Sequence, residues 1–345
     1  MSNHRTHLFR NLIFLSVVLF TMGSCVDEID LVPEKDQLKG VAINGTLVKG
    51  SPSFISVLVK PIFTFTADSR GLVPVDEVYL LNEQGQQYLI EDRIDIGQYW
   101  QRIDPSFELD YNSRYQLKVQ LSDGRTYESD FIEILPSLPI TSVDFDIVQV
   151  DRLNPVTGTL QKRDFIQYNI NTPLVEKATD EKALLYWKVF KTNRYQIEDG
   201  RRCYTTQSAD VNYIGTFDGN SLASDTLNDF PFFRDFIDDS FSDTYYFTVQ
   251  QENLPLEAYE YWNQIGLSIN RDGNMFEPTA GAISTNISNA TGEEDDVQGF
   301  FYATERSSFT IRICPEDVGL SFRSQLCDGC PCQSTEPPSF WEACR

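Results

Sequence analysis

A strict alternation of apolar and polar residues constrains this chain more than any other feature. Between residues 114 and 121 the apolar side chains occupy every second position: Tyr115, Leu117, Val119 and Leu121. Successive side chains of a β-strand point to opposite faces, so this period predicts a strand with one buried face. Asp123-Gly124 is typical of a tight turn, and a second strand is predicted from Thr126 to Ile134. The stretch therefore predicts a β-hairpin.

Similar short strands separated by turns fill residues 40–135 and show no helical period. They are predicted at Val41 to Val48, Phe54 to Val59, Val78 to Leu81 and Tyr88 to Ile90. This spacing predicts a small β-sandwich over residues 40–135.

Pro136-Ser137-Leu138-Pro139 is a stiff break and the predicted domain boundary. A second β-sandwich-like domain is predicted over residues 140–313, with a helix near 255–269 that starts at Pro255. A second helix is considered over Asp225 to Asp239, although Pro231 opposes it. The predicted strands are Ser142 to Val150, Phe165 to Ile170, Leu184 to Phe190, Thr244 to Gln250, Gly299 to Thr304 and Phe309 to Ile313. The fold class is therefore mainly β, with helical insertions in the second domain.

Residues 1–24 have the three parts of a bacterial lipoprotein signal peptide. A basic start and an apolar run over residues 12–20 precede Gly23 and Ser24, and Cys25 follows directly. The apolar run falls short of the ~20 residues that a spanning helix needs. The mature chain is therefore predicted to begin at a lipidated Cys25, its attachment to the membrane. The alternative is an ordinary secretory signal, with Cys25 in a disulfide.

Residues 25–39 form a predicted acidic tether. Asp27, Glu28 and Asp30 resemble the export signal that sends lipoproteins of the Bacteroidota to the outer face of the outer membrane. The alternative is a solvated charged linker with no signal.

Charge and histidine content exclude several classes of function. The chain has a net charge of −23, and loss of the leader with Arg5 and Arg10 makes it −25. Such a surface repels nucleic acid and anionic lipid, so nucleic acid is not expected as a partner. Both histidines, His4 and His7, lie in the leader. The mature chain thus lacks the residue needed for Ser-His-Asp or Cys-His catalysis. A hydrolase that uses a pair of carboxylates stays open as an alternative.

Six cysteines remain after Cys25, and an even count in an exported protein predicts disulfides. The candidates are Cys203, Cys314, Cys327, Cys330, Cys332 and Cys344, most of them in a cysteine-rich tail over residues 314–345. A four-thiolate zinc site formed by the last four is the alternative, which the single residue between Cys330 and Cys332 disfavours. No metal or cofactor is expected.

Two further features are candidates for binding. Trp100 and Trp341 lie in turn-rich surroundings, where an aromatic ring can stack on a ligand. Glu293-Glu294-Asp295-Asp296 offers clustered oxygen ligands for a cation such as calcium, but it lacks the glycine-centred order of a calcium loop. A solvated loop is the preferred interpretation there.

A set of short motifs, in order along the chain, resembles a Bacteroidota family of outer-membrane lipoproteins, the domain of unknown function numbered 4249. The motifs are Gly97-Gln98-Tyr99, Tyr115-Gln116-Leu117, Asp123 to Ser129, Val249-Gln250-Gln251, Ala258 to Trp262, Gly299-Phe300-Phe301, Cys327 to Cys330 and Pro338 to Trp341. Pro331-Cys332-Gln333-Ser334 and the terminal Cys344 depart from the family pattern.

The resemblance implies an immunoglobulin-like or regulatory-carboxypeptidase-like first domain, and an outer-membrane location. Members are usually encoded beside large TonB-dependent receptors, which implies a partner role in uptake or surface assembly. The family carries no established catalytic residues, so no catalytic residue and no enzyme activity are expected. The leading hypothesis is a non-enzymatic accessory subunit of a TonB-dependent transporter or another outer-membrane barrel. A stand-alone glycan- or peptide-binding surface protein is the main alternative.

Overall fold

The computed structural model describes residues 40–62, 73–95, 97–154, 156–176, 180–197, 200–269, 283–292, 296–326 and 332–344. The predicted mainly β fold is confirmed, and the strands follow in chain order. They are β1 Val41–Lys49, β2 Phe54–Pro61, β3 Val75–Asn82, β4 Gln87–Leu89, β5 Arg93–Asp95, β6 Gln98–Arg102, β7 Arg114–Leu121, β8 Thr126–Ser129, β9 Ile132–Leu135, β10 Ser142–Leu153, β11 Leu160–Pro173, β12 Leu184–Gln196, β13 Arg202–Ser208, β14 Gly215–Asp218, β15 Thr226–Phe236, β16 Tyr245–Asn253, β17 Ile287–Asn289, β18 Val297–Gln298 and β19 Phe301–Ile313.

The helix predicted to start at Pro255 is confirmed as α1, Leu256–Ile269. Gly266 lies inside α1 without ending it, and Ala258 and Tyr261 are buried under it. Across the described ranges, no helix is long and apolar enough to cross a membrane.

The alternating stretch forms β7, and its four apolar residues are all buried. The predicted second strand from Thr126 to Ile134 is wrong in one respect, because the structure divides it into β8 and β9. Lys118 lies opposite Glu128, whereas Tyr115 lies opposite Ile132, so the register shifts by one residue between the two strands. Such a bulge bends a strand. After it, β9 still pairs with β7 at Ile132 and Glu133, and then pairs in parallel with β19 at Ile134 and Leu135.

A single long strand, β19, stands where two separate strands were predicted. Its first half pairs in parallel with β1, from Gly45 opposite Phe301 to Lys49 opposite Glu305. Its second half pairs with β16, where Arg306 lies opposite Glu252. The strand β19 therefore pairs with strands from both sides of the predicted boundary at 136–139 and joins them into one sheet, which we call the large sheet. The division into domains 40–135 and 140–313, and their immunoglobulin-like arrangement, stay predictions.

Two apolar cores lie against this sheet. The first joins β1, β2, β3 and β7 through side chains such as Ile43, Val57 and Leu80. The second packs β11, β12 and β16 together, with the Tyr168 ring stacked on Phe247 at a centroid distance of 3.7 Å. The helix α1 covers the sheet face opposite the second core and buries a third, smaller cluster.

The helix considered over Asp225 to Asp239 is wrong, because this segment forms strand β15. It is the outer strand of a three-stranded sheet ordered β10, β11, β15. Pro231 lies next to a register shift in the pairing with β11, and an outer strand tolerates proline because its outward N–H has no ladder partner. Leu227 and Phe233 are buried against the second core. Contacts with the core thus decide the conformation of this aromatic-rich segment.

Candidate functional site

The candidate site lies on the side of the large sheet that carries α1. Because side chains alternate along each strand, Trp187 and Gln251 point into the second core, and their neighbours in β12 and β16 point the other way. We call this second side the charged aromatic face. Its residues are Phe54, Trp100, Tyr186, Lys188, Glu252, Trp262, Tyr302 and Arg306.

Glu252 is the centre of this face and is fully buried. Arg306 lies directly across from it on β19 and donates from Nε to Oε1 at 2.8 Å. Lys188 Nζ lies 3.2 Å from both carboxylate oxygens, and the Tyr302 hydroxyl donates to Oε2 at 2.8 Å. Three side chains from two neighbouring strands therefore satisfy one buried carboxylate.

The surrounding charges keep Glu252 ionised. Burial on its own raises the pKa of a carboxyl group. The positive charges of Lys188 and Arg306, with hydrogen bonds from Arg306 and Tyr302, outweigh burial and hold the pKa of Glu252 below its ordinary value. Burial also lowers the pKa of Lys188, and the charge of Glu252 offsets this only in part. A carboxylate that is ionised and bonded to three donors fixes the geometry of its neighbours.

A series of contacts leads from this carboxylate through Arg306 and Phe54 to Trp100 at the exposed edge of the face. The Arg306 guanidinium lies 5.1 Å from the centroid of Phe54, and Phe54 stacks on Trp100 at 5.7 Å. Trp100 is 36% exposed, so part of its ring is open to solvent. On the other side of the cluster, Tyr186 stacks on Trp262 at 5.0 Å. Exposed aromatic rings with cations next to them suit the binding of a sugar ring or of a planar group.

The other predicted stacking residue, Trp341, lies in a separate aromatic cluster. Its ring centroid is 4.9 Å from those of Tyr204 and Tyr246, and the Arg194 guanidinium lies 6.0 Å from it. Arg194 itself pairs with buried Asp243 at 2.6 Å. These contacts show Trp341 packing the C-terminal tail onto the sheet.

Two disulfides involve the C-terminal tail, one of them to strand β13 and the other between the two ends of the tail, which confirms the disulfide prediction for four cysteines. Cys203 is bonded to Cys332, and Cys314 to Cys344. The two cysteines that depart from the family pattern therefore both form disulfides. The zinc alternative loses two of its four thiolates, since Cys332 and Cys344 are already bonded elsewhere. In the described ranges no group of three or more His, Cys, Asp or Glu side chains is placed to hold a metal.

Several predicted site residues lie outside the described residues: Cys25, Asp27, Glu28, Asp30, Cys327, Cys330 and the acidic residues 293–295. Their predicted roles in lipid attachment, export, disulfide formation and cation binding stay predictions.

The Glu252 cluster was not predicted from the sequence, although a signal for it is present there. Lys188 interrupts the otherwise apolar run Leu184 to Phe190 of β12. A charged residue within a strand that packs on both faces needs a partner, because an unpaired buried charge is costly. The sequence shows that need, but the partners come from strands far away in the chain.

The fold thus defines a mainly β protein with disulfide bonds in its C-terminal tail. This chain belongs to the DUF4249 family, a domain of unknown function, whose model matches residues 26–310. The family membership indicated by the short motifs is therefore confirmed. A search of curated proteins found no match.

Proposed function

We propose that this protein is a surface-exposed outer-membrane lipoprotein that acts as a non-enzymatic accessory subunit of a TonB-dependent transporter or another barrel. The observation that carries the proposal is the order of segments at the N-terminus. The family region begins at residue 26, directly behind the predicted lipidated Cys25. The first strand, β1, starts at Val41, so the predicted tether of residues 25–39 spans at most about 50 Å when fully extended and keeps the folded domain near the membrane.

The disulfides support an exported protein. Such bonds form and persist in oxidising compartments and are rare in the cytosol. Cys203 and Cys332 are separated by 129 residues in the chain, so this bond ties the tail to a distant strand. This pairing fits a protein that works outside the cytoplasm.

The charged aromatic face supports binding in place of catalysis. Glu252 is ionised and has three hydrogen-bonding partners, which suits a structural anchor better than a proton acceptor. Trp100 is the most exposed residue of this face, whereas Phe54, Lys188, Trp262 and Arg306 are half-buried. The TonB-dependent partner itself rests on the family resemblance and on no contact in the structure.

Affinity purification tests the partnership. The lipidated protein, tagged at its C-terminus and extracted from outer membranes in mild detergents, is expected to bring down a TonB-dependent barrel in comparable amount. An unrelated surface lipoprotein with the same tag is the control for nonspecific recovery. Recovery as a lone monomer in several detergents would contradict the proposal.

The exposure of Trp100 favours one alternative, a surface protein that binds a glycan or peptide without any barrel. Under this alternative the protein is recovered alone, and a glycan or peptide screen gives a ligand. Trp100→Ala is then expected to weaken binding, since the stacking of a sugar ring or a peptide side chain on the aromatic ring is lost. Trp341→Ala is a poor control because Trp341 packs the tail. A screen without any ligand would remove this alternative.

A further inference from the structure

The hairpin of β10 and β11 projects beyond the rest of its sheet. The third strand, β15, pairs with β11 only as far as Phe236 opposite Phe165. The two hairpin strands continue pairing without it, to Leu153 opposite Leu160. At ~3.3 Å per residue, the tip lies about 17 Å beyond the end of β15. We call residues 149–164 the distal hairpin.

The tip of the distal hairpin is apolar and exposed. Leu153 and Leu160 lie opposite each other and are 63% and 70% exposed, and Val156 in the turn between them is 90% exposed. Single exposed apolar residues on a surface are ordinary, but three at the end of one projection are a patch.

The turn that presents Val156 is held by hydrogen bonds. The Asn154 side chain accepts from the backbone N–H groups of Val156 and Thr157, at 2.9 and 3.3 Å. Asn154 N–H donates to the carbonyl of Thr159, and Gly158 N–H donates to the carbonyl of Asn154, both at 2.8 Å. Gly158 has a φ of +66°, a conformation that favours glycine. The exposed side chain of Val156 is thus presented by a turn whose conformation these hydrogen bonds define.

The charge of the distal hairpin is opposite in sign to that of the chain. It carries three basic residues, Arg152, Lys162 and Arg163, against two acidic ones, whereas the whole chain has a net charge of −23. Interactions between exposed charges are screened over about 8 Å at physiological ionic strength. At ~3.3 Å per residue, Arg163, Lys162 and Arg152 lie about 7, 10 and 13 Å beyond the end of β15. Screening of the acidic body is therefore partial at Arg163 and larger towards the tip.

We propose that the distal hairpin contacts an anionic lipid bilayer, with Leu153, Val156 and Leu160 entering the headgroup region and the basic residues behind them facing the headgroups. An apolar end flanked by basic side chains matches the chemistry of that interface. The net charge of the chain argues against anionic lipid as a general partner, and the tip is a local exception. This inference rests on the membrane position proposed above. The lipid anchor would then hold the hairpin at high local concentration near the bilayer.

Sedimentation with vesicles tests this contact. The mature chain carrying Cys25→Ser, which cannot be lipidated, is mixed with vesicles of phosphatidylcholine alone or with added phosphatidylglycerol. Binding is expected with the anionic vesicles and is expected to fall as salt is raised. The triple variant Leu153→Ser, Val156→Ser, Leu160→Ser is expected to lose roughly tenfold or more of that binding, since it removes the apolar contact.

The control is Val211→Ser with Leu326→Ser, which removes exposed apolar side chains elsewhere (85% and 79% exposed) and is expected to leave binding unchanged.

Lys162→Gln with Arg163→Gln is expected to lower binding to anionic vesicles selectively. Absence of binding to either vesicle, or equal binding by the triple variant, would overturn the inference. A partner protein would then be the remaining occupant of the tip. Because the test uses unlipidated protein and no barrel, its failure leaves the proposed anchor and barrel partnership standing.

Discussion

Glu252→Gln is expected to lower the free energy of unfolding by about 3–5 kcal/mol, the range for breaking a buried ion pair. The substitution keeps the size of the side chain but removes its charge. Lys188 and Arg306 are then left as like charges in a buried site without their shared anion. Urea denaturation followed by circular dichroism measures the loss.

Glu128→Gln is the matched control, because Glu128 also pairs with a lysine across two neighbouring strands. The Lys118–Glu128 pair has a distance of 3.0 Å, but both side chains are about one-third exposed or slightly less. Exposed pairs contribute about 0–1 kcal/mol, so little change is expected. An equal loss in the two variants would contradict the role given to Glu252.

The cluster also predicts a pH dependence with a definite sign. Because the folded-state pKa of Glu252 is lowered, its stabilisation is complete above its ordinary pKa of 4.5 and is lost as the pH falls through the lower folded value. The stability difference between the parent and Glu252→Gln is therefore expected to shrink below pH 4.5. Denaturation at several pH values measures it. A difference that grows on acidification would contradict the lowered pKa.

Gly299→Ala is expected to lower the free energy of unfolding by about 2–5 kcal/mol, about 1–2 from a strained backbone and about 1–3 from a steric overlap. Gly299 has a φ of +104°, outside the range that L side chains usually adopt. A Cβ atom there would also overlap the backbone carbonyl oxygen of Ile43 in β1. Backbone atoms of a paired strand cannot move aside as a flexible side chain can. Thermal and urea denaturation measure the loss.

Gly124→Ala distinguishes the cost of the strained backbone from the cost of the steric overlap. Gly124 has a similar φ of +94°, but a Cβ there would meet no atom within 4 Å. Its expected cost is only the conformational part, about 1–2 kcal/mol. Equal losses for the two alanine variants would show that the contact with β1 contributes nothing.

The parts of the fold that the sequence predicted are those set by local pattern. The alternation at Tyr115 to Leu121 gave β7, and the helical spacing of Ala258 and Tyr261 gave α1, because each pattern matches the period of one element. Phe230 and Phe232 in β15 carry no such clear period. Their conformation follows from the core beneath them, where both rings lie near Trp187.

The features of the fold that were not predicted depend on pairing between residues far apart in the chain. Ser307 and Ser308 lie between the two strands predicted at Gly299 to Thr304 and Phe309 to Ile313. In the structure they pair with Gln251 and Gln250 of β16 in one unbroken ladder. The Glu252 cluster is hidden for the same reason. Lys188 and Arg306 lie 64 and 54 residues from Glu252 in the chain, so no local spacing could join them. Trp100 was chosen as a candidate because its turn-rich surroundings are visible in the local sequence, and its role in binding stays a prediction.

Protease treatment of intact cells tests the proposed surface position most directly. The lipidated protein is expected to be degraded while a periplasmic marker stays whole, and the triple variant Asp27→Asn, Glu28→Gln, Asp30→Asn is expected to become protected because its export signal is lost. Cleavage is read on blots with antibody to the C-terminal tag, and cells opened with detergent show that both proteins can be cut. Full protection of the parent protein on intact cells would place it inside the outer membrane and contradict the proposal.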